Sequence, residues 1–205
     1  MNHKSRNKIY SAIFFAIPVL MISTVIILGF LQKDYNHVRQ PISDLAQFGA
    51  PYATWMIIFG IAIPGFCMIA SAFIINKIIG GSAFKNGSIL ALISGITYSL
   101  LSIARADPKG ITETISILHI VFTITSLVSG ACGVILAALK LRKMSGWERV
   151  GKIALFLAPI SLIYTPLMFF LPYPGLSQRV FICLLLFWFL MLGWRLWTKP
   201  SSTPL

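Results

Sequence analysis

The sequence is poor in charge: only 11% of its 205 residues are Asp, Glu, Lys or Arg, less than half the roughly one quarter found in soluble domains. Acids are scarcest, with 5 Asp and Glu against 17 Lys and Arg. No stretch has the composition of a water-soluble domain. The three cysteines, Cys67, Cys132 and Cys183, lie in three separate apolar runs without metal-type spacing, and they read as small core residues. Histidine is equally sparse. Only His37 and His119 stand outside the N-terminal tail, so a zinc site, which takes three protein ligands, would have to lean on Asp44, Asp107 or Glu113. A bis-His haem would need a second buried histidine. No cofactor and no metal are expected. A cleavage site of small residues is missing too. Lys4, Arg6 and Lys8 precede an apolar stretch that is too long for a signal peptide. No internal repeat aligns the two halves, which weakens an inverted-repeat transporter reading.

Long apolar runs are what the chain does have. Hydrophobic residues make up 57% of it, and its mean hydropathy is +0.85. Six runs approach the roughly 20 residues that span a hydrocarbon core: Ile9–Leu31, Tyr52–Ile75, Ser88–Ile103, Glu113–Leu139, Ile153–Leu171 and Val180–Trp197. Backbone amides in lipid must be satisfied within their own segment, so these are expected to be helices, kinked at Pro18, Pro64, Pro159 and Pro166. The expected fold is an all-α polytopic membrane bundle, one transmembrane domain over residues 1–205. The net charge of +12 points to anionic lipid headgroups rather than nucleic acid, because the cations sit between the apolar runs.

Their distribution sets an orientation. Lys4, Arg6, Lys8, Lys77, Lys85, Lys140, Arg142, Lys143, Arg149, Lys152, Arg195 and Lys199 fall on one side of a six-span chain. Only Lys33, Arg39, Arg105, Lys109 and Arg179 fall on the other. The positive-inside rule then places both termini in the cytoplasm of a cell (inner or plasma) membrane.

Polar residues gather toward the opposite, outer side. The first outer loop carries Arg39-Gln-Pro-Ile-Ser43-Asp44-Leu-Ala-Gln47-Phe-Gly49. Pro41 can start and Gly49 end a short interfacial helix, with Ile42, Leu45 and Phe48 on one face. Ser43 or Asp44 would serve as an amide cap in the plainest account. In the fourth run Thr112, Ser116, His119, Thr123, Ser126, Gly130 and Gly133 recur at alternating steps of four and three, a small and polar stripe of the kind that faces other helices. Ala91, Gly95, Tyr98, Ser102 and Arg105 form a similar stripe in the third run. The short Ala104–Thr112 connection makes these two runs antiparallel neighbours, with His119, Tyr98, Ser102 and Arg105 near the outer end. Asp107, Glu113 and Arg179 belong to the rim, and Arg39, Ser43 and Asp44 approach from the loop. Ionisable residues inside spans are candidates for function. Ion pairs such as Arg39–Asp44 or Arg105–Asp107 are the purely structural alternative.

The stretch Arg39–Pro51 followed by an apolar helix resembles the opening of the prokaryotic membrane family catalogued as domain of unknown function 998. Resemblance to that family implies matching positions at Ser43, Asp44, Asp107, His119 and Arg179, while Ala46-Gln47 departs from its pattern of Gly directly after Leu. The Ile-Ser-Asp element is also similar to that of the eukaryotic Frag1/DRAM membrane proteins. Neither resemblance implies a reaction.

Three functions follow as expectations. The first is a non-enzymatic bundle binding a lipid or small amphiphile in an outward-facing pocket, with Arg39, Arg105 and Arg179 toward an anionic headgroup. The second is an intramembrane hydrolase or transferase with His119 as base and Ser43, with Asp44, or a metal-bound water as nucleophile. The third is a small-solute transporter, with Pro18 and Pro64 breaking two helices.

Overall fold

A segment surrounded by hydrocarbon must bond its own amides, and the apolar runs are accordingly helical. The structure, a computed structural model, describes residues 3–80, 85–108, 113–167 and 170–198. Among these residues there are six long helices and no strand: α1 (His3–Leu31), α2 (Ala53–Ile79), α3 (Lys85–Leu100), α4 (Thr114–Leu141), α5 (Glu148–Leu167) and α6 (Pro174–Thr198). Four of them, α1, α2, α4 and α6, are long and apolar enough to cross a membrane by themselves. This is an all-α helical bundle of membrane character.

The helices overrun several of the expected runs. α1 starts six residues before Ile9, α5 five before Ile153 and α6 six before Val180. Charged or polar first turns such as Lys4 to Lys8 are wound into the helix and hold it beyond the apolar stretch. α3 ends at Leu100 rather than Ile103, and residues 101–104 close in tight turns with amides from Leu101, Ser102 and Ile103 bonded three residues back. Thr112, Lys109 and Lys199, which figured in the stripe and charge arguments, lie outside the described residues.

Each helix packs against its neighbours in the chain, and α6 returns to α1, so the six form a closed ring. The seam between first and last helices is pinned where the buried Ser11 hydroxyl donates to the Gly193 carbonyl at 2.7 Å. Around it, Phe14, Ile74, Ala138, Trp147, Trp188 and Leu192 belong to one apolar core at the end of the bundle that holds the termini. A second cluster, including Val25, Leu28, Ile42, Leu45, Met56 and Leu101, fills the opposite end. By the charge argument this is the outer end.

The stripe on α4 does face a neighbour. Ser94 and Ser126 bond reciprocally, each hydroxyl donating to the other's carbonyl at 2.8 and 3.0 Å. A methyl at Gly133 would meet the Ala91 amide at 3.2 Å. The α3 stripe does not stay on one contact face, however. At Gly95 a methyl would come 2.8 Å from the Ile69 amide of α2. Because α3 is flanked by α2 and α4, small residues are needed on two sides, and Ser94 shares the work with Ala91.

Proline acts differently at each site. Pro18 lies inside an unbroken α1, and Pro159 and Pro166 inside α5. Pro64 follows a seven-residue π-helical stretch, Met56–Ala62, through which α2 stays continuous. Having no N–H, Pro64 leaves the Gly60 carbonyl, four residues back, without its α-helical donor. The Tyr98 hydroxyl of α3 donates to that carbonyl at 2.8 Å instead. Neither helix expected to be discontinuous is unwound.

Candidate outward-facing cavity

The first outer connection is clamped onto the start of α6. Pro41 leads into a 3-10 turn, Ile42–Leu45, rather than the longer helix its sequence suggests. Ile42 and Leu45 are buried as expected, whereas Phe48 is exposed, with the Arg105 guanidinium 4.2 Å above its ring. The turn has no side-chain cap, so neither Ser43 nor Asp44 plays the capping role. The Ile42 amide donates across to Gln178 Oε1 at 2.6 Å, and the Leu176 amide to the Val38 carbonyl at 2.9 Å. Gly175 permits this close approach, since a methyl there would sit 2.7 Å from the His37 carbonyl.

Arg179 locks the arrangement. Its Nη1 donates to the carbonyls of His37 (2.6 Å), Gly175 (2.9 Å) and Gln40 (3.1 Å). Its Nη2 donates to the Tyr35 hydroxyl at 2.7 Å and to His37 Nδ1 at 3.1 Å. Tyr35 in turn donates to the Pro41 carbonyl at 2.9 Å. A guanidinium carries five donors in a fixed fork; here three carbonyl oxygens share the two on Nη1, and the two on Nη2 go to Tyr35 and His37. Because His37 Nδ1 accepts, the ring proton resides on Nε2, which is buried without a partner among the described residues. Burial, and secondarily the Arg179 charge, holds the His37 pKa below the ordinary imidazole value. Burial raises the Asp44 carboxyl, and among the described residues Arg39, exposed on the loop, forms no ion pair with it.

Behind this cap lies a cavity of about 80 Å³ whose wall includes Ser43, Tyr98, His119, Thr123, Ser126 and Gln178. A second, mostly apolar cavity of about 80 Å³ continues toward the middle of the ring, bounded by residues such as Ile75, Leu186 and Trp188. The two share Met21, Tyr98, Ser126, Leu127 and Ile182. Each exceeds the roughly 10–15 Å³ that one water needs. In the upper cavity His119 Nδ1 lies 2.8 Å from the Ala104 carbonyl. That oxygen can only accept, so Nδ1 carries the proton and Nε2 keeps its lone pair. Thr123 Oγ1 is buried with no hydrogen-bond partner among the described residues, unusual for a group that normally finds one.

Of the ten candidate residues, the structure brings Ser43, Tyr98 and His119 to the cavity wall. No hydrogen bond joins Ser43 to His119. Arg179 sits in a separate groove between α1 and α6. Arg39 is exposed on the loop, and Glu113 is exposed at the start of α4, where its carbonyl receives the Ser116 and Ile117 amides. Asp44 and Ser102 are half-buried beside the cavity rather than in its wall. Arg105 covers Phe48, and the Asp107 amide donates to the Ser116 hydroxyl at 3.1 Å. Sequence reasoning missed Gln178, which immediately precedes a recognised arginine and stands one position from it on the helix. Polarity just inside an apolar run was the available signal. Tyr35 and His37 were missed as partners of Arg179, because contacts across 142 and 144 positions leave no local pattern.

Residues 15–195 match the family described as Protein of unknown function (DUF998). No curated protein and no solved structure matches the chain. Nothing in these comparisons adds to the likeness with Frag1/DRAM proteins.

Proposed function

The chain belongs to the DUF998 family, a membrane family without an assigned reaction, and we propose that it binds a small amphiphile inside the helical ring. One observation carries this reading: a chamber with hydroxyl and imidazole groups lies directly beside an apolar chamber, with Met21, Tyr98, Ser126, Leu127 and Ile182 lining both. An amphiphile satisfies both at once, its hydrogen-bonding end near Ser43, His119 and Thr123 and its hydrocarbon among Ile75, Leu186 and Trp188. The unpartnered Thr123 hydroxyl would gain the bond it lacks. Among the described residues no Lys or Arg lines the upper chamber, and Arg179 is engaged by carbonyls. The fitting head is therefore uncharged, an alcohol, amide or glycerol ester, rather than a phosphate. Entry would be sideways from the lipid. A groove between α1 and α6, with Phe30 exposed along it, shares Met21, Ile182 and Leu186 with the chambers, so those side chains form a thin wall. The membrane concerned would be the cell membrane, with the cavity on the non-cytoplasmic side.

Extraction of the amphiphile from purified protein, followed by mass spectrometry, tests the proposal. Thr123→Val keeps the shape and removes the hydroxyl, and retention should fall roughly tenfold, the equivalent of about 1.4 kcal/mol for one lost buried bond. Retention equal to wild type would reject the reading.

A hydrolytic version is favoured by the His119 tautomer, which leaves Nε2 unprotonated on a residue that lines the chamber together with Ser43. Ser43 Oγ would bond to an ester carbonyl carbon as its proton passes to Nε2, and the alcohol would leave with that proton as the C–O bond breaks. Water would then give a proton to Nε2 as its oxygen bonds to the acyl carbon, and the acid would leave as the C–O bond to Ser43 breaks and Oγ takes that proton back. Cleaved rather than intact amphiphile in the same extracts, with Ser43→Ala restoring the intact form, is the outcome this version requires.

A further inference from the structure

At the other end of the bundle, the turn joining α4 to α5 presents cations in a fixed arrangement. Arg142 and Lys143 follow the last turn of α4, and Lys152 lies one turn into α5. Together with Leu155 and Phe156 they line an open groove of about 530 Å³. The backbone beneath them is tightly set. The Arg142 amide bonds to the Ala138 carbonyl at 3.0 Å, Lys143 to Lys140 at 3.0 Å, and Trp147 to Met144 at 2.9 Å. Gly151 lets α5 touch α4 backbone to backbone: a methyl there would come 2.7 Å from the Arg142 Cα. Trp147 is buried under the turn. Arg195, from α6, donates to the Gly146 carbonyl on the turn and stacks near the Trp147 ring, but it does not line the groove.

The three groove cations have no carboxylate partner among the described residues. Glu148 stands one turn before Lys152 but makes no ion pair with it, and the other four acids belong to the opposite end of the bundle. The groove also changes character with depth. Phe156, 68% exposed, lies four residues further along α5 than Lys152, about 6 Å toward the bundle centre at 1.5 Å per residue. A cationic rim above an exposed apolar floor matches the order of groups in a phospholipid, phosphate first and acyl chain below. A free phosphate would need the rim alone.

We propose that this groove is a binding site for an anionic phospholipid, holding its phosphodiester between Arg142, Lys143 and Lys152 with the glycerol and upper acyl chain over Leu155 and Phe156. Arg142 supplies paired donors suited to phosphate, and the lysines add point charge. The site is separate from the amphiphile cavity, with which it shares no lining residue.

The test uses full-length protein in nanodiscs of phosphatidylcholine doped with phosphatidylglycerol, released gently and weighed intact with its retained lipid. Arg142→Ala/Lys152→Ala should lower retained phosphatidylglycerol by about fivefold or more, while Lys140→Ala/Arg149→Ala, which removes equal charge outside the groove, should change it less than about twofold. Equal losses in the two pairs would show a general basic surface and overturn the site, as would wild-type protein retaining no phosphatidylglycerol. Phe156→Ser tests the floor. Retention should fall with all cations intact, and unchanged retention, or full displacement of the lipid by inorganic phosphate at millimolar concentration, would overturn the assignment to a lipid. Melting temperatures close to wild type accompany the expected result, since all the substituted cations are exposed.

Discussion

Arg179 shows how a charged side chain at a helix start can be structural without an ion pair. Five acceptors converge on it, three of them carbonyls, and the loop it holds forms the lid of the cavity. His37 is the titratable member of this cluster. Burial and the neighbouring guanidinium favour its neutral form in the folded state. The stability it contributes is present above the ordinary imidazole pKa near 6.5 and is lost as pH falls through the lowered folded value. The melting temperature should therefore drop between pH 7.5 and 5.5, and His37→Gln should remove most of that drop. Equal drops in the two proteins would show that His37 is not the group responsible. Asp44, whose carboxyl burial shifts upward, acts with the opposite sign, because falling pH neutralises a buried charge instead of creating one. Arg179 was legible in the sequence as a functional candidate because cations at span ends are few. Its role was not, because carbonyl oxygens are available from every residue and sequence spacing does not say which will converge.

Among the elements, α2 departs most from regular geometry. Seven residues wound as π-helix sit just before a proline, and the orphaned Gly60 carbonyl is served by a tyrosine from α3. Tyr98→Phe removes that donor and leaves a buried carbonyl unpaired, which should cost about 1–3 kcal/mol in thermal or denaturant unfolding in detergent. Pro64→Ala restores an amide able to serve the same carbonyl. In the Tyr98→Phe background it should recover part of the loss, giving a non-additive double-mutant cycle. Additive effects would mean the two residues do not act on one oxygen. The sequence marks Pro64 as a perturbing residue, since the missing N–H is a local property. It does not say whether the helix bends, unwinds or changes register, because that depends on a hydroxyl 38 positions away. The outer turn has the same lesson. Pro41 starts it as read, but the turn ends at Leu45, four residues before Gly49, and Phe48 turns out to solvent, where an arginine from the α3–α4 connection offers its face a cation.

At the scale of the whole molecule, apolar run length was enough to place six helices, and charge alternation gave them an order across the membrane. Ends were less legible. Charged turns such as Lys4–Lys8 extend helices past the apolar stretch, and run length alone does not count them. The alternation makes a firm prediction. A phosphatase fused after Leu205, active only outside the cytoplasm, should be inactive, while a fusion in the first connection should be active. An active C-terminal fusion would reverse the sides assigned to the cavity and to the basic groove. Legible too was that α3 and α4 meet through small and polar residues. The internal chambers were not, because a void is the difference between surfaces contributed by α1, α2, α3, α4 and α6, and a stripe on one helix describes a single wall.

Ring closure by the first and last helices has a consequence for biosynthesis. α1 is made before α6 and meets it only once the four helices between them have been made, so over that interval the Ser11 hydroxyl has no Gly193 carbonyl to bond. A nascent chain halted before Pro174 exposes that flank to lipid or to a chaperone, and premature stop products should be cleared by membrane quality-control proteases much faster than the full chain.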